Sequence, residues 1–178
     1  MATTTLATPA RQGTITATPV DRTARLPLWA AMVVAGAGGF ALDLATPAIG
    51  WWPLALVAVT MSLISLIGRS LLTAFLVGTV FGVVFFFTHL AWVGQFLGPI
   101  PWVALASLQA VLFGAGAIPL TLAYRWTGRY RPRGTVQLVA VPLLIGVLWA
   151  TREVVMGAWP YGGFPWVRIG MTQVEGPL

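Results

Sequence analysis

Apolar residues run along this chain in five blocks that are too continuous to leave a solvent-facing side. They span Leu28 to Leu44, Trp51 to Ile67, Leu71 to Trp92, Trp102 to Tyr124 and Val136 to Val155. Short stretches of Gly, Pro, Arg and Asp separate them. A helix needs roughly 20 largely apolar residues to cross the hydrocarbon core of a bilayer. The pattern therefore predicts an all-α fold, a polytopic transmembrane helix bundle with about five spans, the first two short for a full crossing. Met1 to Pro27 is rich in Thr, Ala, Pro and Arg without sustained apolar periodicity, which predicts a disordered tail over 1–27. Residues 28–155 then form the bundle and 156–178 a loop at the membrane surface. No convincing cleavage site closes the first apolar block, so it is expected to remain as an uncleaved helix rather than a signal peptide.

The basic residues orient these spans, because Arg is retained on the cytoplasmic side during insertion. With the N-terminus cytoplasmic, Arg11, Arg22, Arg25, Arg69, Arg125, Arg129, Arg131 and Arg133 lie inside, and only Arg152 and Arg168 lie outside. The 156–178 loop is then extracytoplasmic. Trp51, Trp52, Trp92, Trp102, Tyr124, Trp126, Trp159 and Trp166 fall near the ends of the predicted helices, where amphipathic rings favour the headgroup zone. Gly78 and Gly82 form a GxxxG pair, and Gly36, Gly38 and Gly39 give the first span a smooth side. Such residues let helices approach closely, and packing within the bundle is favoured over dimerisation.

Composition agrees with lipid as the solvent: 58% of residues are hydrophobic and 8% charged. The formal charge of +6 invites a nucleic-acid reading. It fails, since the Arg side chains sit in short loops between apolar blocks instead of on one exposed face, so no nucleic-acid partner is expected. The chain has no cysteine, which excludes disulfides, thiolate metal sites and a thiol nucleophile within it. Ser-His-Asp sets, phosphate loops, metal clusters and carboxylate dyads are likewise not visible, and neither a metal nor a cofactor is expected.

Three places carry residues of chemical interest. His89, the only histidine, ends the third block. An intramembrane ionisable group is a functional candidate, but a lone His at an interface is more often a hydrogen-bonded packing residue. Arg152 and Glu153 adjoin at the outer end of the fifth block. Consecutive helix positions point about 100° apart, so each is expected to find its own neighbour, another helix or a lipid phosphate. For Glu153, fixing the helix end outweighs catalysis. Finally, Trp159-Pro160-Tyr161-Gly162-Gly163-Phe164-Pro165-Trp166 cannot form a regular helix. It would lie along the outer surface, either cradling an acyl chain or capping the bundle.

That last stretch resembles the signature loop of bacterial apolipoprotein N-acyltransferases, within Leu148-Trp149-Ala150-Thr151-Arg152-Glu153 through Gly163-Phe164-Pro165-Trp166 to Gly176-Pro177-Leu178. Ile49-Gly50-Trp51-Trp52-Pro53-Leu54-Ala55-Leu56 resembles the family's early Trp-Pro-Leu-Ala motif, and Phe75 to Trp92 its third span. The likeness covers Gly39 to Leu178, and the all-Arg, Thr-rich tail suggests an actinobacterial source. The resemblance implies an acyltransferase that moves an acyl chain from a phospholipid donor to the N-terminal cysteine amine of a diacylated apolipoprotein, at the outer side of the bacterial plasma (inner) membrane. It further implies a Glu-Lys-Cys triad in a nitrilase-like domain beyond Leu178. No catalytic residue is then expected in these 178 residues, which would be a fragment inactive alone. Gly163, Phe164, Pro165, Trp166, Glu153 and Arg152 are the residues expected at the lipid entrance. The chain departs from the family at Met156, where an Arg is usual, and at Gly94, where a Tyr is frequent. Two other functions compete: a membrane anchor for a polyprenol-phosphate mannose synthase, a glycosyltransferase partner, and a transporter-like bundle. The lack of an internal repeat lowers the case for the latter.

Overall fold

The computed structural model describes residues 24–130, 134, 136–160, 162–165, 168–174 and 176. The tail expected at 1–27 lies outside the described residues up to position 23, as does Trp166. Each apolar block forms helix: α1 is Leu28–Leu44, α2 Pro53–Leu66, α3 Leu71–His89, α4 Ala91–Leu97, α5 Pro99–Tyr130 and α6 Val141–Ala158. A π-helical turn, Val136–Ala140, leads into α6, and a short 3-10 helix, Ile169–Gln173, follows it. Three helices, Leu71–His89, Pro99–Thr127 and Gln137–Ala158, are long and apolar enough to cross a membrane, and Leu28–Leu44 and Pro53–Leu66 are shorter apolar helices. This is a multi-pass membrane protein.

Local chemistry sets the boundaries. Pro53 opens α2, where a missing N–H costs nothing. The Ser70 hydroxyl caps α3 by accepting from the Thr73 backbone N–H at 3.1 Å. The third block was expected to continue to Trp92, but α3 stops at His89 and α4 sets off separately. One residue earlier, Thr88 Oγ1 donates back to the Val84 and Phe85 carbonyls at 2.9 and 3.0 Å, a contact that competes with helix continuation. Conversely, α6 runs three residues past the expected end at Val155, until Trp159 adopts an extended backbone ahead of Pro160.

Neighbouring helices pack in the order α2, α1, α3, α5, α6. The central seam joins α3 to α5. A Cβ on Gly78 would come within 2.7 Å of Ala117 Cβ, and one on Gly82 within 2.7 Å of Ala110 Cα. The GxxxG pair therefore serves packing inside the bundle, as the sequence favoured. On the other side of α3, a Cβ on Gly39 of α1 would collide with the Phe81 carbonyl oxygen. Aromatic rings fill the space that these close contacts leave: Phe81 stacks on Phe113 at 4.7 Å between centroids, and Trp149 of α6 meets Phe113 edge-on at 6.0 Å.

One end of the bundle is tied by a single side chain. Arg69, between α2 and α3, donates from Nε to the Ser65 carbonyl at 3.2 Å and from Nη2 to the Leu26 and Pro27 carbonyls at 2.6 and 3.1 Å. Arg125 of α5 donates to the Arg69 carbonyl at 2.9 Å. The last turn of α2, the entry to α1 and the distal part of α5 are thereby joined.

Candidate functional site at the loop end of the bundle

The opposite end gathers Asp43, His89, Gln109, Arg152, Glu153 and Arg168. Ile145, Trp149, Arg152 and Met156 form the buried stripe of α6, spaced so that they face α5 and the loop. Glu153 stands beside this stripe. Its Oε1 accepts from the Trp149 indole N–H at 2.8 Å, one turn back, and both carboxylate oxygens accept from the Ile169 backbone N–H at 3.3 Å. It thus pins the 3-10 helix to α6.

The loop returns to α6 by a route that requires glycine. Gly163 has φ of +73°, and a Cβ there would collide with the backbone of Gly157 and Ala158. Only hydrogen at that position allows so close an approach. The turn is closed by the Gly163 N–H donating to the Pro160 carbonyl at 2.8 Å, and Phe164 N–H donates to the Met156 carbonyl at 2.9 Å. Arg168 then crosses over Gly157, with Nη2 3.2 Å from where a Cβ would stand. The half-buried ring of Phe164 turns toward Arg152 and Met156, with which it lines a small cavity.

Arg152 occupies the innermost position. Its side chain lies flat against Gly116 of α5, where a Cβ would overlap Cγ and Cδ. The guanidinium carbon sits 3.6 Å from the centroid of the Phe113 ring and 3.9 Å from that of Trp149. These rings attract the cation through their π faces. As the spacing implied, Arg152 and Glu153 have separate neighbours and form no ion pair with each other.

Two cavities open here. The smaller, about 20 Å³, is lined among others by Gln109, Phe113, Arg152, Glu153 and Phe164. The larger, about 220 Å³, lies between the ends of α1 and α3 and the 3-10 helix, with His89, Trp92, Ile169 and Met171 in its wall. Leu42, Phe85 and Arg168 line both, so the two adjoin. His89 borders the larger one with its Nδ1 3.1 Å from Asp43 Oδ1 and its ring stacked on Phe85 at 5.3 Å. This fits the reading of His89 as a hydrogen-bonded packing residue.

The structure brings together Arg152, Glu153, Gly163, Phe164 and Pro165 of the expected entrance residues, whereas Trp166 lies outside the described residues. Sequence reasoning missed Gln109, Phe113, Gly116 and Arg168 as neighbours of Arg152, and Asp43 as the partner of His89. For the last pair a signal existed, since the topology places both at the same end. Among the described residues no group of His, Asp and Glu is arranged to hold a metal ion.

Residues 38–178 match the apolipoprotein N-acyltransferase N-terminal domain family. Among similar proteins, the apolipoprotein N-acyltransferase of Mycolicibacterium smegmatis is 37% identical over 95 residues, covering 50% of this chain and 16% of the relative. Those of Azotobacter vinelandii and Pseudomonas putida are each 28% identical over 159 residues, covering 85% of this chain and 30% of the relative. The chain thus spans less than a third of the length of these relatives. With the match running from the middle of α1 through the glycine loop, the chain belongs to the apolipoprotein N-acyltransferase N-terminal domain family.

Proposed function

We propose that this chain is the membrane portion of an enzyme that transfers an acyl chain from a phospholipid to the N-terminal cysteine amine of a diacylated lipoprotein. The family match over residues 38–178 carries the reading, because it takes in both the helix bundle and the loop packed on α6. The 178 residues contain no cysteine, so a thiolate nucleophile has to be supplied from outside them. By themselves they are expected to form no acyl thioester. Gly163, Phe164, Pro165, Trp166, Glu153 and Arg152 serve as the lipid entrance in this reading, and the small cavity lined by Phe164, with the larger one adjoining it, supports it. The anchor and transporter readings draw nothing from the family match, which names the acyltransferase; no feature favours a glycosyltransferase partner.

The site of action in this proposal is the outer face of the bacterial plasma (inner) membrane, with the N-terminus cytoplasmic. The eight-to-two distribution of Arg supports that orientation. A cysteine-free chain makes it directly measurable. In spheroplasts, Gly170→Cys should react with an impermeant maleimide, and Gln12→Cys only after permeabilisation; the reverse pattern would invert the topology. For the entrance, Phe164→Ala and Trp166→Ala in the full-length enzyme should each lower kcat/KM for acyl transfer about tenfold at equal abundance. Unchanged kcat/KM in both variants would remove the loop from the reaction.

A further inference from the structure

Arg152 is 6% exposed, yet among the described residues it makes no ion pair, and its buried Nε has no hydrogen-bond partner. Removing a charged group from water without partners is costly, so such groups in folded proteins are ordinarily paired. The rings of Phe113 and Trp149 relieve part of that cost. The two rings stand at 88° to one another, and a ring face is at most a weak acceptor, so they leave the Nε donor without a hydrogen bond. Beside them, Gln109 is 2% exposed and its Oε1 is also unpartnered. Both residues line the small cavity. The amide of Gln109 can turn over to present two donors there.

We propose that Arg152 receives an oxygen of a phosphate group, and that the group belongs to a phospholipid whose glycerol and first acyl-chain carbons enter the adjoining larger cavity. The assignment rests on the reading of this end as a lipid entrance and names the group that the entrance grips. The charges present favour an anion. Glu153, the nearest carboxylate, is already engaged by the Trp149 and Ile169 N–H groups, and Asp43 by His89. Arg168 adds a second cation on the wall common to the two cavities. Size favours a lipid over free phosphate. About 20 Å³ at Arg152 admits one or two leading oxygens, while the apolar walls of the 220 Å³ cavity, Leu42, Phe85, Ile169 and Met171, suit the hydrocarbon attached to them. A planar fork of N–H donors matches two phosphate oxygens where an ammonium would meet only one.

Binding, not acyl transfer, tests this. In the full-length protein in detergent, native mass spectrometry can compare phosphatidylglycerol, diacylglycerol with the same chains, and inorganic phosphate. Phosphatidylglycerol should bind about tenfold or more tightly than diacylglycerol, and Arg152→Met should remove that preference while leaving diacylglycerol unchanged. Arg152→Lys, which keeps the charge but loses the fork, should fall between. Inorganic phosphate should bind more weakly than phosphatidylglycerol by at least the same factor. Equal binding of both lipids by the wild-type protein would overturn the proposal even if Arg152→Met failed to fold. Unaltered phosphatidylglycerol binding by well-folded Arg152→Met and Arg152→Lys would overturn it too, and inorganic phosphate binding as tightly as the lipid would overturn the lipid as source. If Arg152-dependent binding were present but the entrance variants left acyl transfer intact, the loop's part in the reaction would fall and the phosphate site would stand.

Discussion

Two arginines are buried alike at opposite ends of the bundle, Arg69 at 7% exposure and Arg152 at 6%, and their surroundings are opposite in kind. Arg69 spends its donors on carbonyls at the entry to α1 and in the last turn of α2, groups that a helix end or a bend leaves short of partners. Arg152 lies against the rings of Phe113 and Trp149, which stand at 88° to one another, and keeps an orphaned nitrogen. Burial alone would rank them equal. The difference in satisfied donors separates a residue that holds the fold from one that awaits a ligand.

The largest expected effect sharpens that contrast. Arg69→Met strips hydrogen bonds from the Leu26, Pro27 and Ser65 carbonyls and should destabilise the bundle by about 2–4 kcal/mol. Arg152→Met exchanges an unpaired buried cation for an apolar chain of similar length and should stay within about 1 kcal/mol of wild type, or exceed it. Thermal unfolding in detergent measures both. Equal losses would mean that Arg152 is as structural as Arg69 and would break the comparison.

A smaller effect is expected at Gly116, because a Cβ there claims the space of Arg152 Cγ and Cδ. Gly116→Ala must push the guanidinium off the Phe113 ring, at about 1–3 kcal/mol. The double variant Gly116→Ala with Arg152→Ala should recover most of that loss, since the clash disappears with the long side chain. A double variant no more stable than Gly116→Ala alone would show that the crowding comes from the helix backbones instead.

The five apolar blocks marked the helices because a lipid-facing helix announces itself by length and lack of charge, with no need of periodicity. The same property hides the packing. α3, Leu71–His89, is apolar around its whole circumference, so nothing in its pattern tells which face meets α1 and which α5. Only the small residues betrayed a contact face, through Gly78 and Gly82. In the candidate site, Gly163 and Phe164 were legible as a Gly/Pro break flanked by aromatics, and Arg152 and Glu153 as charges at the end of an apolar run. The neighbours of Arg152 were not, since Phe113 and Gly116 read as ordinary members of an apolar helix until α5 and α6 are brought together. The separation of α4 from α3 was also hidden, as it arises at Thr88 and Leu90 inside one hydrophobic run.

The smallest effect concerns the pair that lies between the two extremes. His89 and Asp43 are each 19% exposed and 3.1 Å apart, so they are partnered like Arg69 but reach water, as neither arginine fully does. Partial hydration of both groups in the unpaired state weakens the case for a strong interaction. His89→Asn and Asp43→Asn should each cost about 0.5–1 kcal/mol, with a coupling of similar size in the double-mutant cycle. The stacking of His89 on Phe85 belongs to the ring and should be lost only in His89→Asn, which makes that variant the less stable of the two. A coupling above about 2 kcal/mol would show instead that the pair is held as tightly as the Arg69 clasp, and the contrast between the two ends would then rest on Arg152 alone.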